Sequence, residues 1–380
     1  TVISVAVMIV AMAFTNGFQF AISQKIFSFW GHIRVQHFQP NHVSIAEELP
    51  IEKNDTILQM LRKNPGVESV NTFATKNAIL KTNETIEGIL FKGVEKSYDF
   101  RNIDRFLEMG RWVHFPDSGY SNDINLSAYT ARQLKLRVND KVLIYFIQSN
   151  GSAPRARKLN VAGIYKTGID EYDKLLAVGD MRLIQRLNDW TPQEIGGYEI
   201  FVKEYDTMDS VNSSIFYHLP AAWNSQTTRE LNPNIFDWLN LQDQTIVMVL
   251  IIMTLVAVLN LITCLIILVL ERTRMTGVLK ALGASNGTLQ RIFLYHGIII
   301  ALSGIILGNL LGLGICLLQQ RYGFIPLPEE MYYISKAEVN IVWWHVVMIN
   351  LATLLIAFLV LIIPTFIIRR VQPVKAIKFV

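Results

Sequence analysis

Three stretches of the chain, residues 246–270, 292–318 and 341–368, run without a single Asp, Glu, Lys or Arg. Each exceeds the roughly 20 apolar residues that cross a hydrocarbon core about 30 Å thick, so each predicts a membrane-spanning helix. A fourth apolar run, residues 2–14, covers only about 20 Å at about 1.5 Å per residue. It reads as the C-terminal part of a first span that begins before this sequence. A cleaved signal peptide, whose apolar core is equally short, is the alternative. Between the first and second runs the pattern changes. Residues 32–37 and 141–147 alternate apolar with polar positions, the period of a half-buried strand. Residues 55–63 and 126–136 read as helices, with Asn54 or Asp55 placed to cap the first and Pro65-Gly66 to end it. Asn150-Gly151 separates strand-like runs at 141–148 and 157–165 and predicts a hairpin. The expected fold is an α-helical membrane protein with four transmembrane helices, the first incomplete, and a large α+β domain inserted between helices 1 and 2. The boundaries fall at 1–28 for the first helix and its exit, 29–243 for the inserted domain, and 244–380 for the remaining three helices.

Charge orients the spans. Loop 271–291 carries Arg272, Arg274, Lys280 and Arg291, and the C-terminal tail carries Arg369, Arg370, Lys375 and Lys378 with no acid. Loop 319–340 has only Arg321 and Lys336 against Glu329, Glu330 and Glu338. Lys and Arg concentrate in cytoplasmic loops. Loop 271–291 and the C-terminus are therefore expected in the cytoplasm, and 319–340 and 29–243 outside. Trp30, Trp238, Tyr332, Tyr333, Trp343 and Trp344 fall at the outer boundaries, where amphipathic rings settle. The net charge of +4 is mostly this inner bias and carries no nucleic-acid signal. Both cysteines, Cys264 and Cys316, lie within spans. The external domain thus has no disulfide, and at about 215 residues it is large enough to bury a core of its own.

The chemistry-bearing motifs are missing. No GxxxxGK[ST], HExxH or GxSxG occurs, so the chain has no phosphate loop, zinc-protease helix or hydrolase nucleophile. Its seven histidines are scattered, without metal-ligand spacing. No catalytic residue, cofactor site or metal site is expected, and no enzymatic activity. The acidic run Asp170-Glu171-Tyr172-Asp173 reads as a solvated loop. The spans contain no carboxylate of the kind that proton- or sodium-coupled transporters use at the midplane. Asn260, Asn309 and Asn350 are expected to hydrogen-bond between helices, worth about 0.6–2 kcal/mol each. His296 and His345 are expected to be satisfied near the span ends. Gly304, Gly308 and Gly312 line one helix face and predict a close helix contact. A sliding contact and ordinary bundle packing are both open. Pro364 is expected to kink the last span.

One short polar stretch interrupts the apolar half. In "ERTRMTGVLKALGASNGTLQRIF", Met275, Val278, Leu279 and Leu282 fall at helical spacing. Gly283 is placed to stop that helix and Ser285 to cap the next. The expected element is a two-turn helix at about 275–284, held between two spans. It suits either the lipid surface or the groove of a partner.

The run 271–314, "ERTRMTGVLKALGASNGTLQRIFLYHGIIIALSGIILGNLLGLG", resembles the coupling-helix region of FtsX-like ABC transporter permeases. "LPEEMYYISKAEVNIVW" (327–343) and "IPTFIIRRVQPVKAIKF" (363–379) resemble the lipoprotein-releasing, LolC/LolE-type branch. So do "TNGFQFAISQKIFSFWGHIRV" (15–35) and "VAGIYKTGIDEYDKLLAV" (161–178). The resemblance implies four spans in a bacterial inner membrane, with a large periplasmic domain of MacB-like type between the first two. It implies two permease subunits, identical or paralogous, with two cytoplasmic ATPase subunits that bind ATP and Mg. Motion passes through the coupling helix, and lipoproteins leave the inner membrane for a periplasmic carrier and the outer membrane.

On this chain the coupling residues implied are Met275, Thr276, Val278, Leu279, Lys280, Leu282 and Gly283. Met275-Thr276 departs from the acid-Ile pair found there in many relatives. A cargo cavity between two permeases would be lined by Phe14, Phe18, Met248, Ile252 and Leu255. The hairpin that docks the carrier in one subunit type corresponds to 147–160 and is short here. Its Pro154, Arg155 and Arg157, beside Lys158, are the expected contact to an acidic carrier, a plain solvated hairpin being equally open. Two other readings use the same parts. One is an FtsX/MacB-like mechanotransmitting permease that regulates a periplasmic partner or exports a peptide. The other is a passive membrane-anchored sensor domain.

Overall fold

A computed structural model describes residues 1–39, 49–82, 85–148, 151–328 and 332–369. The chain divides into two compact units, one of residues 1–21, 237–327 and 336 onward, the other of residues 22–236 and 328–335.

The second unit is α+β. It takes in the end of helix α1 (Val2–Trp30) and continues through β1 (Ile33–His37), β2 (Ile51–Glu52), α2 (Asp55–Lys63), β3 (Val67–Lys81), β4 (Ile86–Val94), α3 (Arg101–Asp104) and β5 (Leu107–Gly110). Then come β6 (Asp123–Ser127), α4 (Ala128–Gln133), β7 (Lys141–Phe146), β8 (Arg155–Tyr165), α5 (Asp170–Leu175), β9 (Leu176–Asp180) and α6 (Met181–Leu187). It ends with β10 (Glu194–Ile195), β11 (Gly197–Val202), α7 (Met208–Phe216), β12 (Trp223–Thr227) and α8 (Thr228–Leu231). The main sheet runs β12-β1-β11-β3-β4-β9-β6-β8-β5, and β7 joins β3 to β8. The pairings β3-β4-β9-β6-β8-β7 therefore close a ring, in which every strand has a neighbour on both sides.

The length of β3 makes the ring possible. Its 15 residues pair with β4 along one edge over 73–81. The other edge is shared, with β11 taking 67–73 and β7 taking 78–81. Leu80, Phe91, Ile124, Leu126, Val142, Ile144, Phe146 and Val161 are buried at alternating positions of these strands and form their core.

Local chemistry places the elements. The Asn54 side chain accepts from the Thr56 and Ile57 N–H groups at 2.9 and 3.2 Å, so α2 starts where expected. The helix expected over 126–136 is corrected: β6 runs through Ser127 and the helix occupies Ala128–Gln133. Leu126 is buried as a strand residue between β8 and β9. Ser127 Oγ accepts the Thr130 N–H at 3.0 Å and caps the helix instead of belonging to it. The solvated loop expected at 170–173 is also corrected. It is helix α5, and Asp173 is buried, accepting from the Thr167 N–H (2.9 Å), Thr167 Oγ1 (2.9 Å) and the Gly168 N–H (3.0 Å). Three donors of one turn draw that carboxylate inward, and burial pushes its pKa above the usual carboxylate range.

The first unit is helical. It comprises the first 21 residues of the chain with most of α9 (Pro233–Glu271), α10 (Thr273–Ala281), α11 (Asn286–Tyr322) and α12 (Trp343–Arg369). Val2–Trp30, Pro233–Glu271 and Gly287–Tyr322 are long and apolar enough to cross a membrane. Trp343–Leu359 is a shorter apolar helix among the described residues. The Pro364 side chain, Asn150, Glu329, Glu330, Arg370, Lys375 and Lys378 lie outside the described residues.

Candidate functional site

Helix α10 carries both exposed and packed apolar side chains. Met275, Val278 and Leu282 are 41%, 45% and 80% exposed, three apolar side chains at spacings that share one face. Leu279, next to them on the helix, packs against the buried cluster of Val269, Leu289 and Phe293. Gly283 takes φ +90°, with the Leu282 N–H on the Val278 carbonyl (3.0 Å) and the Ala284 N–H reaching back to Leu279 (2.9 Å). That is the left-handed glycine stop of a helix. Ser285 Oγ accepts the Thr288 N–H at 3.2 Å and starts α11. The side chains of Thr276 and Lys280 lie outside the described residues.

Gly304, Gly308 and Gly312 of α11 meet the start of the chain and α1. A Cβ at Gly308 would stand 2.7 Å from Val5 Cβ and 2.9 Å from the Val2 carbonyl oxygen. At Gly312 it would stand 3.1 Å from the Ala6 oxygen, and at Gly304 2.7 Å from Thr1 Oγ1. Backbone approach this close has room for hydrogen only. Asn309 and Asn350 exchange two side-chain amide hydrogen bonds, at 2.8 and 3.0 Å, between α11 and α12. Asn260 is exposed. The Asn16 amide nitrogen lies 2.8 Å from His345 Nδ1, and His296 Nδ1 lies 2.9 Å from the Ile292 carbonyl oxygen. No group of three His, Cys, Asp or Glu that could hold a metal occurs among the described residues.

The five residues singled out for a cargo cavity fall into two sets. Phe14 leans on the buried cluster of Ala13, Cys316 and Val339, and Phe18 meets Trp238 edge-on at 5.5 Å. Met248, Ile252 and Leu255 are exposed along one face of α9. A cleft of about 290 Å³, open mouth included, is lined by other residues of α1, α9 and α12, among them Met8, Thr254, Ala257, Leu261 and Thr353. On the β7-β8 hairpin Pro154 is exposed. Arg155 donates to the Leu187 carbonyl (2.8 Å) and pairs with Asp189 (3.2 Å), while Arg157 donates to the Ala156 carbonyl (2.8 Å).

A buried charge cluster lies where α1 ends, and the sequence pattern did not single it out. Lys92 of β4 and Glu199 of β11 form an ion pair with both side chains almost fully buried. Lys92 Nζ also donates to the Phe29 carbonyl in the last turn of α1. The Arg34 guanidinium lies 3.9 Å over the Trp30 ring, and Lys92 Nζ is 4.7 Å from the same ring. Burial pushes the Glu199 carboxyl above its usual range, against the pull of Lys92 and Arg34. Next to it, burial lowers His32 to about 4. The His32 ring stacks on Phe27 at 4.3 Å, and Nδ1 accepts the Val202 N–H at 3.3 Å. The available signal was a lone charge inside each of two apolar strand runs, "ILFKGV" and "GYEIFV".

Residues 328–335 group with the α+β unit, although the sequence places them among the permease helices. Lys25 Nζ donates to the Tyr333 carbonyl at 2.6 Å, the Tyr333 hydroxyl donates to Glu171 at 3.3 Å, and Ile334 is buried.

A long apolar helix leading into a ring-closed α+β domain, followed by three more apolar helices, defines the class. The chain belongs to the family of the MacB-like periplasmic core domain, whose family model matches residues 1–215, and residues 247–373 match the FtsX-like permease C-terminal domain. Within that class it resembles the lipoprotein-releasing branch along its whole length. The lipoprotein-releasing system transmembrane protein LolE of Haemophilus influenzae is 21% identical, over 99% of this chain and 92% of that protein. LolC proteins of the same system are 23% identical in Xylella fastidiosa (99% and 91%) and 22% in Neisseria meningitidis (99% and 92%). Among solved structures, the periplasmic region of MacB from Actinobacillus actinomycetemcomitans aligns over 53% of this chain and 91% of its own, at 12% identity and a TM-score of 0.36. The extracellular domain of the ABC-type transporter YknZ aligns over 51% and 98%, at 15% identity and a TM-score of 0.34.

Proposed function

We propose that this chain is the permease subunit of an ABC transporter that releases lipoproteins from a bacterial inner membrane toward the outer membrane. The observation that carries the reading is helix α10, whose exposed Met275, Val278 and Leu282 form a ridge on an element anchored by Leu279, in a chain similar throughout to lipoprotein-releasing permeases. In this reading α1, α9, α11 and α12 are four spans. The α+β domain, bounded at 29–243, faces the periplasm, and α10 and the C-terminus face the cytoplasm. A separate ATPase subunit binds ATP and Mg and hydrolyses the nucleotide. The ridge of α10 sits in that subunit's groove, with Thr276, Lys280 and Gly283 completing the element.

Leu279 joins α10 to the end of α9 and the start of α11, so a push on the ridge displaces both helices. The glycine contact makes α1 follow α11. A second permease, identical or paralogous, completes the assembly. Removing an acyl chain from a bilayer costs about 0.8 kcal/mol per CH₂, or about 12 kcal/mol for some fifteen methylenes. An apolar surface must substitute for lipid during extraction. Met248, Ile252 and Leu255, exposed together on α9, supply it, with Phe14 and Phe18 nearer the exit of α1. Arg157, with Pro154 and Arg155 where the turn leads into β8, is the contact offered to an acidic carrier.

Purification in mild detergent followed by mass spectrometry tests the assembly: an ABC ATPase and lipoproteins are expected with the chain. Absence of any ATPase returns the chain to a passive anchored sensor. Normal lipoprotein localisation after depletion, with the ATPase still bound, returns it to a regulator of a periplasmic partner. For α10 itself, Leu282→Asp is expected to leave ATP hydrolysis running while lipoprotein release falls at least tenfold. Unchanged release in that variant removes α10 from the coupling path.

A further inference from the structure

The last carbonyls of a helix have no partner within it and carry partial negative charge. At the end of α1 the chain is buried, and three separate elements converge on residues 29–32. Lys92 of β4 donates to the Phe29 carbonyl. Thr228 of α8 donates to the Gly31 carbonyl at 2.7 Å through Oγ1 and to the His32 carbonyl at 2.8 Å through its N–H. The His32 N–H goes to the Ile200 carbonyl of β11 at 2.8 Å. Gly31 makes the turn at φ +65°, so close to β11 that a Cβ would lie 3.1 Å from the Ile200 oxygen and 3.4 Å from Glu199 Cβ. Glu199 neutralises the lysine that caps the helix.

Stability alone is a weak reason for such a pair. Replacing both members of a buried ion pair with apolar side chains of similar size is commonly tolerated, whereas removing one member is not. Apolar side chains would fill the space but leave the Phe29 carbonyl uncapped.

We propose that Lys92 and Glu199 are positioning residues that fasten the end of α1 to β4 and β11, so that the strands of the α+β domain move with that helix. The inference rests on the coupling reading above. It assigns the transfer of motion into the periplasmic domain to a charged clasp at residues 29–34, where continuous chain alone would leave a pivot at Gly31.

The test uses the full chain with its co-purified ATPase in lipid nanodiscs, comparing wild type, Lys92→Met/Glu199→Met and Lys92→Arg. Amide hydrogen exchange is read by mass spectrometry, alongside ATP turnover and lipoprotein released per ATP. In the double variant, exchange in β3 and β8 is expected within twofold of wild type, while exchange at Gly31 and His32 rises at least tenfold. Release per ATP falls at least fivefold with ATP turnover within twofold. Lys92→Arg keeps a donor near Phe29, so both quantities lie between those of wild type and the double variant. It also stands in if the double variant does not fold. Unchanged exchange at Gly31 and His32 overturns the clasp. Faster exchange with undiminished release per ATP overturns its part in transmission. A wild-type complex that releases no lipoprotein sinks the transport reading instead, and the exchange measurement then decides the clasp by itself.

Discussion

A methyl group means different things at two glycines six residues apart on α11. At Gly308 it would meet Val5 Cβ at 2.7 Å, whereas at Gly314 nothing lies within 4 Å. Gly308→Ala is expected to cost about 1–3 kcal/mol through overpacking. Gly314→Ala is expected to gain about 0.5–1 kcal/mol, since alanine loses less backbone freedom in a helix. Thermal inactivation in detergent separates the two, and equal midpoints would show that the α1–α11 contact is not this close. His32 supplies the pH dependence. Its folded pKa of about 4 lies below the ordinary histidine value of 6.5, so between those values the unfolded chain binds more protons. Stability of the α+β unit therefore falls as pH drops through that window, by at most about 1.4 kcal/mol per pH unit and less where water screens the ring. His32→Asn, which keeps an acceptor for the Val202 N–H, is expected to flatten denaturant midpoints between pH 4 and 6.5. The glycine spacing was readable as a packing face, but Val5 and Ala6 as its partners were not. Nothing around His32 marks it as buried, because its burial comes from Phe27 and a strand far along the chain.

Elements were legible where one local signal dominated. Helix α2 has Asn54 at one end and Pro65-Gly66 at the other, while Gly283 ends α10 and Ser285 begins α11, so these boundaries fall where local chemistry dictates. The stretch 126–136 misled because a buried strand runs directly into a short helix, and Ser127 is the last residue of one and the cap of the other. The acidic run 170–173 misled because carboxylates suggest solvent, while the N–H groups of the Thr167-Gly168 turn take Asp173 inside. The pairing of α11 with α12 through Asn309 and Asn350 can be measured directly. Each single replacement by Leu is expected to cost about 0.6–2 kcal/mol. The double replacement should cost less than the sum of the singles, since the second loses a partner already gone. Additive costs in a double-mutant cycle would show that the two amides do not pair.

Across the whole molecule, the proposed orientation is open to chemical labelling. Leu282 and Tyr217 are 80% and 82% exposed. Leu282→Cys is expected to react with a membrane-impermeant maleimide only after the inner membrane is opened and the ATPase stripped away, and Tyr217→Cys in intact spheroplasts. The reverse pattern inverts the topology and removes the ATPase from reach of α10. Length and period are properties of neighbouring residues, so the apolar runs, the polar interruption at α10 and the mixed character of the inserted domain could be read without coordinates. Closure of the ring through β7, the helix that the α11 glycines meet and the partnership of Lys92 with Glu199 join residues far apart in the chain. No local period encodes such a pairing. It is decided by which buried surfaces and uncapped polar groups find one another when the chain is packed.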